Sequence, residues 1–125
     1  MAYSVMVFAA RKPGISHDEF KSRYERHMRM VTEIAGDNMP LKHTRWYPRH
    51  EGADDKPTLL AGSAERMRYD VIVEMSFKDE AAFGRFHRAL LDGEANARIL
   101  EDEAGFWDRE RMEVVVIGEV QETKK

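Results

Sequence analysis

Residues 69–77 read Tyr69-Asp70-Val71-Ile72-Val73-Glu74-Met75-Ser76-Phe77, with Tyr, Val, Val, Met and Phe at every second position. This period of two predicts a β-strand with one buried face. Residues 78–91 follow with apolar side chains at helical spacing, the inward positions being Ala82, Phe83, Phe86 and Leu90. Residues 112–120 contain the run Val-Val-Val-Ile and predict a further strand, with a short helix expected before it at residues 96–103.

The first half of the chain has the same order of elements. Residues 3–9 are predicted to form a strand, since four of them in a row are apolar. A helix is predicted to follow as far as about residue 35, because Ser16 and Glu19 have the spacing of a capping box. Residues 41–47 form a second predicted strand, bounded by prolines on both sides.

The resulting order β-α-β-β-α-β predicts an α+β, ferredoxin-like domain with a four-stranded antiparallel sheet and two helices on one face. One such domain is expected to occupy residues 1–125. The first and last strands are apolar on both faces, so the face opposite the helices needs its own cover. A second copy of the chain would supply it and form a dimeric α+β barrel. A small exposed apolar patch, or an edge strand covered by the tail, is the alternative.

Composition excludes several classes of protein. The 125 residues carry a net charge of −3 without a basic run, which argues against nucleic-acid binding and against docking on anionic membranes. No apolar stretch reaches the roughly 20 residues that span a bilayer. Cysteine is absent, which excludes thiol chemistry and disulfides. The first residues lack the features of a signal peptide, so a cytoplasmic location is expected.

Three polar side chains share one face of the second strand. His43, Arg45 and Tyr47 alternate along it and must point the same way. Arginine binds carboxylates in a two-pronged manner, histidine exchanges protons near neutrality, and tyrosine can donate to a developing enolate. The other interpretation is an edge strand whose polar face is simply hydrated. Trp46 lies on the opposite face and is expected to serve in packing.

His27 is the second candidate proton carrier. It follows Phe20 by seven residues and therefore falls on the buried face of the first helix. It is either a general acid or base, or a core histidine bonded to a backbone carbonyl. His17 and His50 are predicted to be solvated, and His87 to lie at the surface or rim.

Further chemistry has weak support in the sequence. Two roles are open for the carboxylates of Asp70, Glu74 and Asp108: a part in catalysis, or ordinary ion pairs with arginine. No metal-binding motif, glycine-rich phosphate loop or serine nucleophile elbow is present in the sequence. We therefore expect no metal and no cofactor. Haem bound through His27 is a minor alternative.

Several motifs together resemble the EthD-domain family of dimeric α+β barrel proteins, over nearly the whole chain. They are residues 11–16 (Arg-Lys-Pro-Gly-Ile-Ser), residues 20–27 (Phe-Lys-Ser-Arg-Tyr-Glu-Arg-His), Tyr69-Asp70 with Glu74, and residues 102–109 (Asp-Glu-Ala-Gly-Phe-Trp-Asp-Arg). Residues 40–45 and 98–103 are more narrowly similar to small fungal EthD proteins of aromatic polyketide pathways, although Trp46 and Trp107 depart from that pattern. The resemblance implies a homodimer and places His27 at a pocket between helix and sheet. It also implies decarboxylase or dehydratase activity on anthrone-like precursors.

The combined interpretation is a cofactor-independent lyase acting on an aromatic polyketide intermediate. His27 and His43 are the predicted proton carriers, Arg45 holds a carboxylate or enolate, and Tyr47 assists. The predicted ring-binding walls are Phe8, Phe20, Tyr24, Phe83 and Phe86. The exact substrate, and the choice between loss of CO₂ and loss of water, stay open. A cyclase or oxygenase on the same scaffold, or a non-catalytic dimer that binds a hydrophobic ligand, are the alternatives.

Residues 49–68 are polar and are predicted to form one long loop, with a short helical turn near residues 63–66. Such long loops are uncommon in compact domains unless they act as lids or are disordered. Leu59 and Leu60 interrupt the polar sequence, which suggests a lid over the pocket mouth near Tyr47. A floppy insertion or a contact with a partner subunit is the alternative.

Overall fold

A computed structural model describes residues 2–125. Its strands and helices follow the predicted order, with one additional hairpin. In chain order they are β1 (Tyr3–Ala9), α1 (His17–Ala35), β2 (Lys42–Trp46), β3 (His50–Glu51), β4 (Lys56–Pro57), β5 (Val71–Phe77), α2 (Glu80–Leu91), α3 (Gly93–Glu103) and β6 (Glu113–Val116). No helix within residues 2–125 is long and apolar enough to cross a membrane.

The main sheet has the strand order β2-β5-β1-β6, and every neighbouring pair is antiparallel. The central pair, β1 and β5, is in register with Val5 opposite Met75 and Val7 opposite Val73. This confirms the predicted α+β, ferredoxin-like fold with a four-stranded antiparallel sheet.

Helix α1 begins and ends as the sequence predicts. The Ser16 hydroxyl accepts a hydrogen bond from the backbone N–H of Glu19 at 3.0 Å, which caps the first turn. At the other end Gly36 adopts a φ of 54° and donates its backbone N–H to Thr32, closing the last turn. The buried stripe between these ends packs on the sheet and consists of Phe20, Tyr24, His27, Met28, Val31 and Ala35.

The segment 49–68 is not one irregular loop. Strands β3 and β4 form a small antiparallel hairpin in which His50 faces Pro57. Asp55 in its turn has a φ of 52°, in the left-handed region that few residues other than glycine adopt. Side-chain contacts to distant residues hold it there, as described below. The sequence prediction missed this hairpin because its two strands have only two residues each.

The sheet has two unlike faces. Val5, Val7, Val73 and Met75 point to the helices and form part of the core. Side chains of the other face belong to Met6, Phe8, Trp46, Ile72 and Val115, as the alternation and the register require. On this second face Trp46 is 49% and Val115 48% exposed.

Phe8 was predicted to line a pocket together with Tyr24, and this prediction was wrong. Its position is opposite Ile72, on the sheet face away from the helices. There its ring contacts Tyr69, with centroids 5.4 Å apart. Successive residues of a strand point to opposite faces, so Val7 and Phe8 cannot both face α1.

Candidate functional site

The polar side chains of β2 converge on a carboxylate of α1. His43 and Arg45 stand opposite Met75 and Val73, and therefore face the helices. Arg45 binds Glu25 with both prongs of its guanidinium, Nε to Oε2 at 2.6 Å and Nη2 to Oε1 at 3.0 Å. The Tyr47 hydroxyl donates to the same Oε2 at 2.5 Å. The structure thus brings the three predicted residues together around Glu25, which sequence reasoning had not selected.

This arrangement fixes the charge state of the cluster. Burial alone would raise the pKa of Glu25, but hydrogen bonds from Arg45 and Tyr47 bring it below its ordinary value. Burial, followed by the bond to Glu25, raises the pKa of Tyr47. Near neutral pH the cluster therefore holds an ionised carboxylate, a guanidinium and a neutral phenol. The side chains of Arg45 and Glu25 are 31% and 33% exposed, so the cluster opens to solvent between α1 and β2.

His43 presents a buried hydrogen-bond donor. Its Nδ1 lies 3.3 Å from Nη1 of Arg45, which can only donate, so Nδ1 accepts and the ring proton is on Nε2. Burial, reinforced by the positive charge of Arg45, lowers the pKa of His43 to about 4. Among residues 2–125, no group accepts a hydrogen bond from the buried Nε2. His43 is thus a neutral ring with a free N–H donor.

His27 has a different environment and does not join this cluster. The ring is 2% exposed and lies on the side of α1 that faces residues 102–107. Nδ1 is 2.7 Å from Oδ2 of Asp102, and Nε2 is 3.4 Å from Oε2 of Glu103. Both ring nitrogens therefore face carboxylates of the end of α3. The role of His27 as a proton carrier stays a prediction.

The predicted aromatic walls are mainly core residues. Phe20, Tyr24 and Phe86 are at most 5% exposed, while Phe83 is partly buried against Phe77. Burial raises the pKa of the Tyr24 hydroxyl, and the charges of Arg45 and Glu25 also affect it, which indicates that this hydroxyl lies near the polar cluster. Its ring also packs on Trp107 at 5.8 Å. The indole N–H of Trp107 is a second buried donor without a partner in the described chain.

A second polar cluster surrounds Asp70, the residue immediately before β5. Oδ1 of Asp70 lies 2.8 Å from Nδ1 of His17, 3.3 Å from Nε2 of His50 and 3.2 Å from Nη1 of Arg11. Oδ2 accepts the backbone N–H of Arg11 at 2.8 Å. Asp55 joins from the hairpin, accepting from Arg11 at 3.1 Å and from the backbone N–H of His17 at 2.7 Å.

His17 and His50 were predicted to be solvated, and this prediction was wrong. His17 is 7% exposed and the side chain of His50 only 3%. Both are buried because the hairpin folds back onto the start of β5, which brings the imidazole of His50 onto that of His17. No local sequence pattern predicts this contact, since residues 17, 50 and 70 are far apart in the chain.

The residue types His17, His50 and Asp70 suit a metal ion, and their ligand atoms lie within 4.8 Å of one another. Their geometry does not. The two imidazoles are stacked 3.6 Å apart at 12°, so their in-plane lone pairs cannot converge on one ion. The guanidinium of Arg11 also occupies the same oxygen of Asp70. The arrangement instead suits two imidazoles and a guanidinium sharing one buried carboxylate.

A cavity of about 450 Å³ adjoins this second cluster. It lies between the turn after β1 and the segment 49–68, and is lined by Arg11, Lys12, Pro13, Gly14, Ile15, His50, Asp54, Asp55, Lys56, Pro57, Ala64, Glu65, Arg68, Asp70 and Arg111. The segment therefore borders a cavity, but not through the leucines selected from the sequence. Neither Leu59 nor Leu60 lines it, and Leu60 is fully exposed.

The two remaining acidic candidates, Asp108 and Glu74, lie outside both polar clusters. Asp108 accepts the backbone N–H of Glu110 at 3.2 Å and lies 3.8 Å from Arg111. Glu74 stands opposite Met6 and Thr44, on the sheet face away from both polar clusters.

Comparisons with known proteins identify the family. The sequence profile of the EthD domain matches residues 12–110. The chain belongs to the EthD domain family. No protein of curated function is similar enough in sequence to count as a relative.

Solved structures share the fold at low sequence identity. The Arabidopsis thaliana protein At3g17210 is 14% identical, with a TM-score of 0.61 and coverage of 98% of this chain and 99% of that one. A dimeric ferredoxin-like protein of unknown function from Jannaschia sp. CCS1 is 12% identical, with a TM-score of 0.56 and coverage of 94% and 99%. SnoaB, a cofactor-independent oxygenase from Streptomyces nogalater, is 12% identical, with a TM-score of 0.53 and coverage of 99% and 96%.

Proposed function

We propose that this protein is a cofactor-independent lyase that acts on the carbonyl group of a hydroxylated aromatic polyketide intermediate. The observation that carries the proposal is the buried, unpartnered Nε2–H of His43, adjacent to Arg45. A buried donor without an acceptor costs about 1–3 kcal/mol, so it needs an explanation. A ligand oxygen in front of Nε2 would provide one.

The proposed reaction type follows from the negative charge that develops on the ligand's carbonyl oxygen during the reaction. Loss of water from a β-hydroxy ketone, or of CO₂ from a β-keto acid, sends an electron pair to the carbonyl oxygen and forms an enol or enolate. A fixed N–H donor stabilises that oxygen more strongly as its negative charge grows. The lowered pKa keeps His43 neutral near pH 7, so that it donates a hydrogen bond without carrying a charge. Arg45 adds a positive charge next to it.

The substrate class rests on a resemblance of the sequence, and the cofactor-independent chemistry is supported by a protein that shares the fold. Residues 40–45 and 98–103 are similar to fungal EthD proteins of aromatic polyketide pathways. SnoaB, which shares the fold, is named as a cofactor-independent oxygenase.

We also propose that the active form is a homodimer. Within residues 2–125, no helix covers the sheet face that carries Met6, Phe8 and Trp46, and exposed apolar faces of this kind mark interaction surfaces. Dimeric proteins of the same fold support this assembly. Two such faces packed together would form the α+β barrel predicted from the sequence.

The test compares His43→Ala and His43→Gln with an exposed control, His87→Ala on α2. Purified proteins are incubated with a β-hydroxy ketone and a β-keto acid of the hydroxyanthrone series, and products are identified by mass spectrometry. We expect His43→Ala to lose at least about 100-fold of turnover. The Gln variant, which retains an N–H donor, should recover part of it.

Two results would contradict the proposal. Oxygen uptake with an oxygenated product would assign the chain to the oxygenases. Tight binding of both compounds without any turnover would assign it to the ligand carriers.

A further inference from the structure

The cavity between the turn after β1 and the segment 49–68 lies apart from the cluster of His43, Arg45 and Tyr47, none of which lines it. We propose that this cavity binds an aromatic carboxylate, and that Arg68 and Arg111 hold the carboxylate group. The inference concerns a separate site and does not depend on the proposed lyase activity.

The buried polar groups of the cavity are already engaged, which points to binding and not to catalysis. Nδ1 of His50 lies 2.8 Å from the carbonyl oxygen of Pro48, and Nε2 lies 3.3 Å from Oδ1 of Asp70. Both oxygens of Asp70 accept hydrogen bonds from Arg11. Neither His50 nor Asp70 is therefore left to take a proton from a ligand.

Three of the carboxylates that line the cavity are paired with cations of the same lining. Asp55 and Asp70 each accept from Nη1 of Arg11, at 3.1 and 3.2 Å. The side chain of Asp54 is 79% exposed and lies 3.8 Å from Nζ of Lys56. These carboxylates have their own partners, so they do not occupy the other cations of the cavity.

Two arginines of the lining keep unused donors. Within residues 2–125, the side chain of Arg68 takes part in no hydrogen bond and no ion pair. Arg111 donates from Nη2 to the backbone carbonyl of Arg68 at 3.1 Å, which holds its guanidinium next to that residue. Nη1 of Arg111 lies 3.8 Å from Oδ2 of Asp108, beyond hydrogen-bond distance. Both side chains therefore have N–H groups to offer to a ligand.

Cations exceed carboxylates among the lining residues that remain. Lys12, Arg68 and Arg111 line the cavity together with the exposed Glu65. An anion that enters gains from this excess of positive charge, and a guanidinium binds a carboxylate through two parallel N–H donors. Arg68 and Arg111 are therefore the residues that we assign to the carboxylate.

The apolar part of the lining selects the body of the ligand. Pro13, Ile15, Pro57 and Ala64 also line the cavity. Its volume of about 450 Å³ falls within the range of about 300–1,000 Å³ that is typical of small-molecule sites. A ring buried against these side chains adds affinity in proportion to the apolar area removed from water. An aromatic acid satisfies both parts of the lining, whereas inorganic phosphate satisfies only the charged part.

The test separates charge from shape by isothermal titration calorimetry with three probes. The first probe is 2-naphthoate, the second is 2-naphthamide, which has the same shape without the charge, and the third is inorganic phosphate. Arg68→Gln and Arg111→Gln remove one cation each, and Ala64→Trp narrows the cavity without a change of charge. Arg29→Gln, at an exposed position of α1, is the matched control. Circular dichroism establishes that each variant is folded.

We expect the wild-type protein to bind 2-naphthoate at least about tenfold more tightly than either other probe. Arg68→Gln and Arg111→Gln should each weaken this binding at least about tenfold, and Arg68→Lys should recover part of the loss. Ala64→Trp should weaken it as well, and Arg29→Gln should leave it unchanged. Added salt should raise the Kd, because the site is partly open to solvent. Should Arg111→Gln fail to fold, Arg68→Gln still decides, since it removes no contact within the described chain.

Several results would overturn the inference. Equal affinity for 2-naphthamide would show that the cavity does not read charge, and equal affinity for inorganic phosphate would show that it does not read the ring. Unchanged binding in Arg68→Gln and Arg111→Gln, or no binding of 2-naphthoate up to about 1 mM, would leave these arginines without the assigned role. Loss of binding in Arg45→Met alone would place the carboxylate at the cluster on β2 instead. None of these results bears on turnover through His43, so the proposed function is tested separately.

Discussion

Arg45 and Glu25 form a two-pronged ion pair across the gap between β2 and α1, with N–O distances of 2.6 and 3.0 Å. The pair sets the properties of its neighbours. Burial and then the positive charge of Arg45 lower the pKa of His43, whereas the Glu25 carboxylate acts in the opposite direction and accepts the hydroxyl of Tyr47. The pair therefore fixes the charges around His43 and Tyr47, and the predicted role of Arg45 toward a substrate carboxylate or enolate stays a prediction.

Arg45→Met should lower turnover by at least about tenfold, because it removes the charge beside the enolate oxygen. Unfolding free energy should change by less than about 1 kcal/mol, since partly exposed ion pairs contribute little. The measurements are kcat/KM and urea denaturation, with Lys42→Met, at an exposed position of the same strand, as control. A large loss of stability with full activity per folded molecule would show that the pair is only structural.

Acidification should destabilise the protein through His43. Its pKa is lowered on folding from 6.5 to about 4, so the stabilisation from the neutral ring is complete above about pH 6.5 and declines as the pH falls toward 4. After allowance for solvent screening, the loss should be on the order of 1–2 kcal/mol. Urea denaturation at several pH values measures it, and His43→Phe should flatten the curve. An equal slope in the variant would place the titrating group elsewhere.

Ile72→Lys should dissociate the proposed dimer. Ile72 lies in β5, opposite Phe8 and Trp46 on the uncovered sheet face, where the variant would bring two like charges into the buried interface. Analytical ultracentrifugation at micromolar concentration should give a dimer for the wild-type protein and a monomer for the variant. Leu91→Lys, at a leucine that is 55% exposed on α2, is the control. A folded wild-type monomer at that concentration would remove the barrel from the proposal.

The sequence predicted those features that depend on local periodicity. Helix α1 could be predicted from the cap at Ser16 and the apolar spacing from Phe20 to Val31. The alternation along β2 was enough to place His43, Arg45 and Tyr47 on one face. Phe8 was assigned to the wrong face because β1 is apolar on both sides, so its pattern does not show which side meets the helices.

Long-range pairing was not predictable in the same way. Glu25 was overlooked, since a partly exposed glutamate on a helix is usually hydrated. The burial of His17 and His50 depends on the hairpin, whose strands are too short to leave a periodic signal. These contacts join residues 20 or more positions apart, and local periodicity in a single sequence carries no information about such pairs.

The attachment of the hairpin has a consequence for how the family can diversify. Asp55 and His50 fasten it to α1 and β5, whereas residues 59–65 make no hydrogen bond to another element in the described chain. Insertions or deletions in that stretch would leave Asp70 and His17 undisturbed. Sequence variation in that stretch can therefore reshape one border of the cavity, while the buried cluster around Asp70 keeps its contacts.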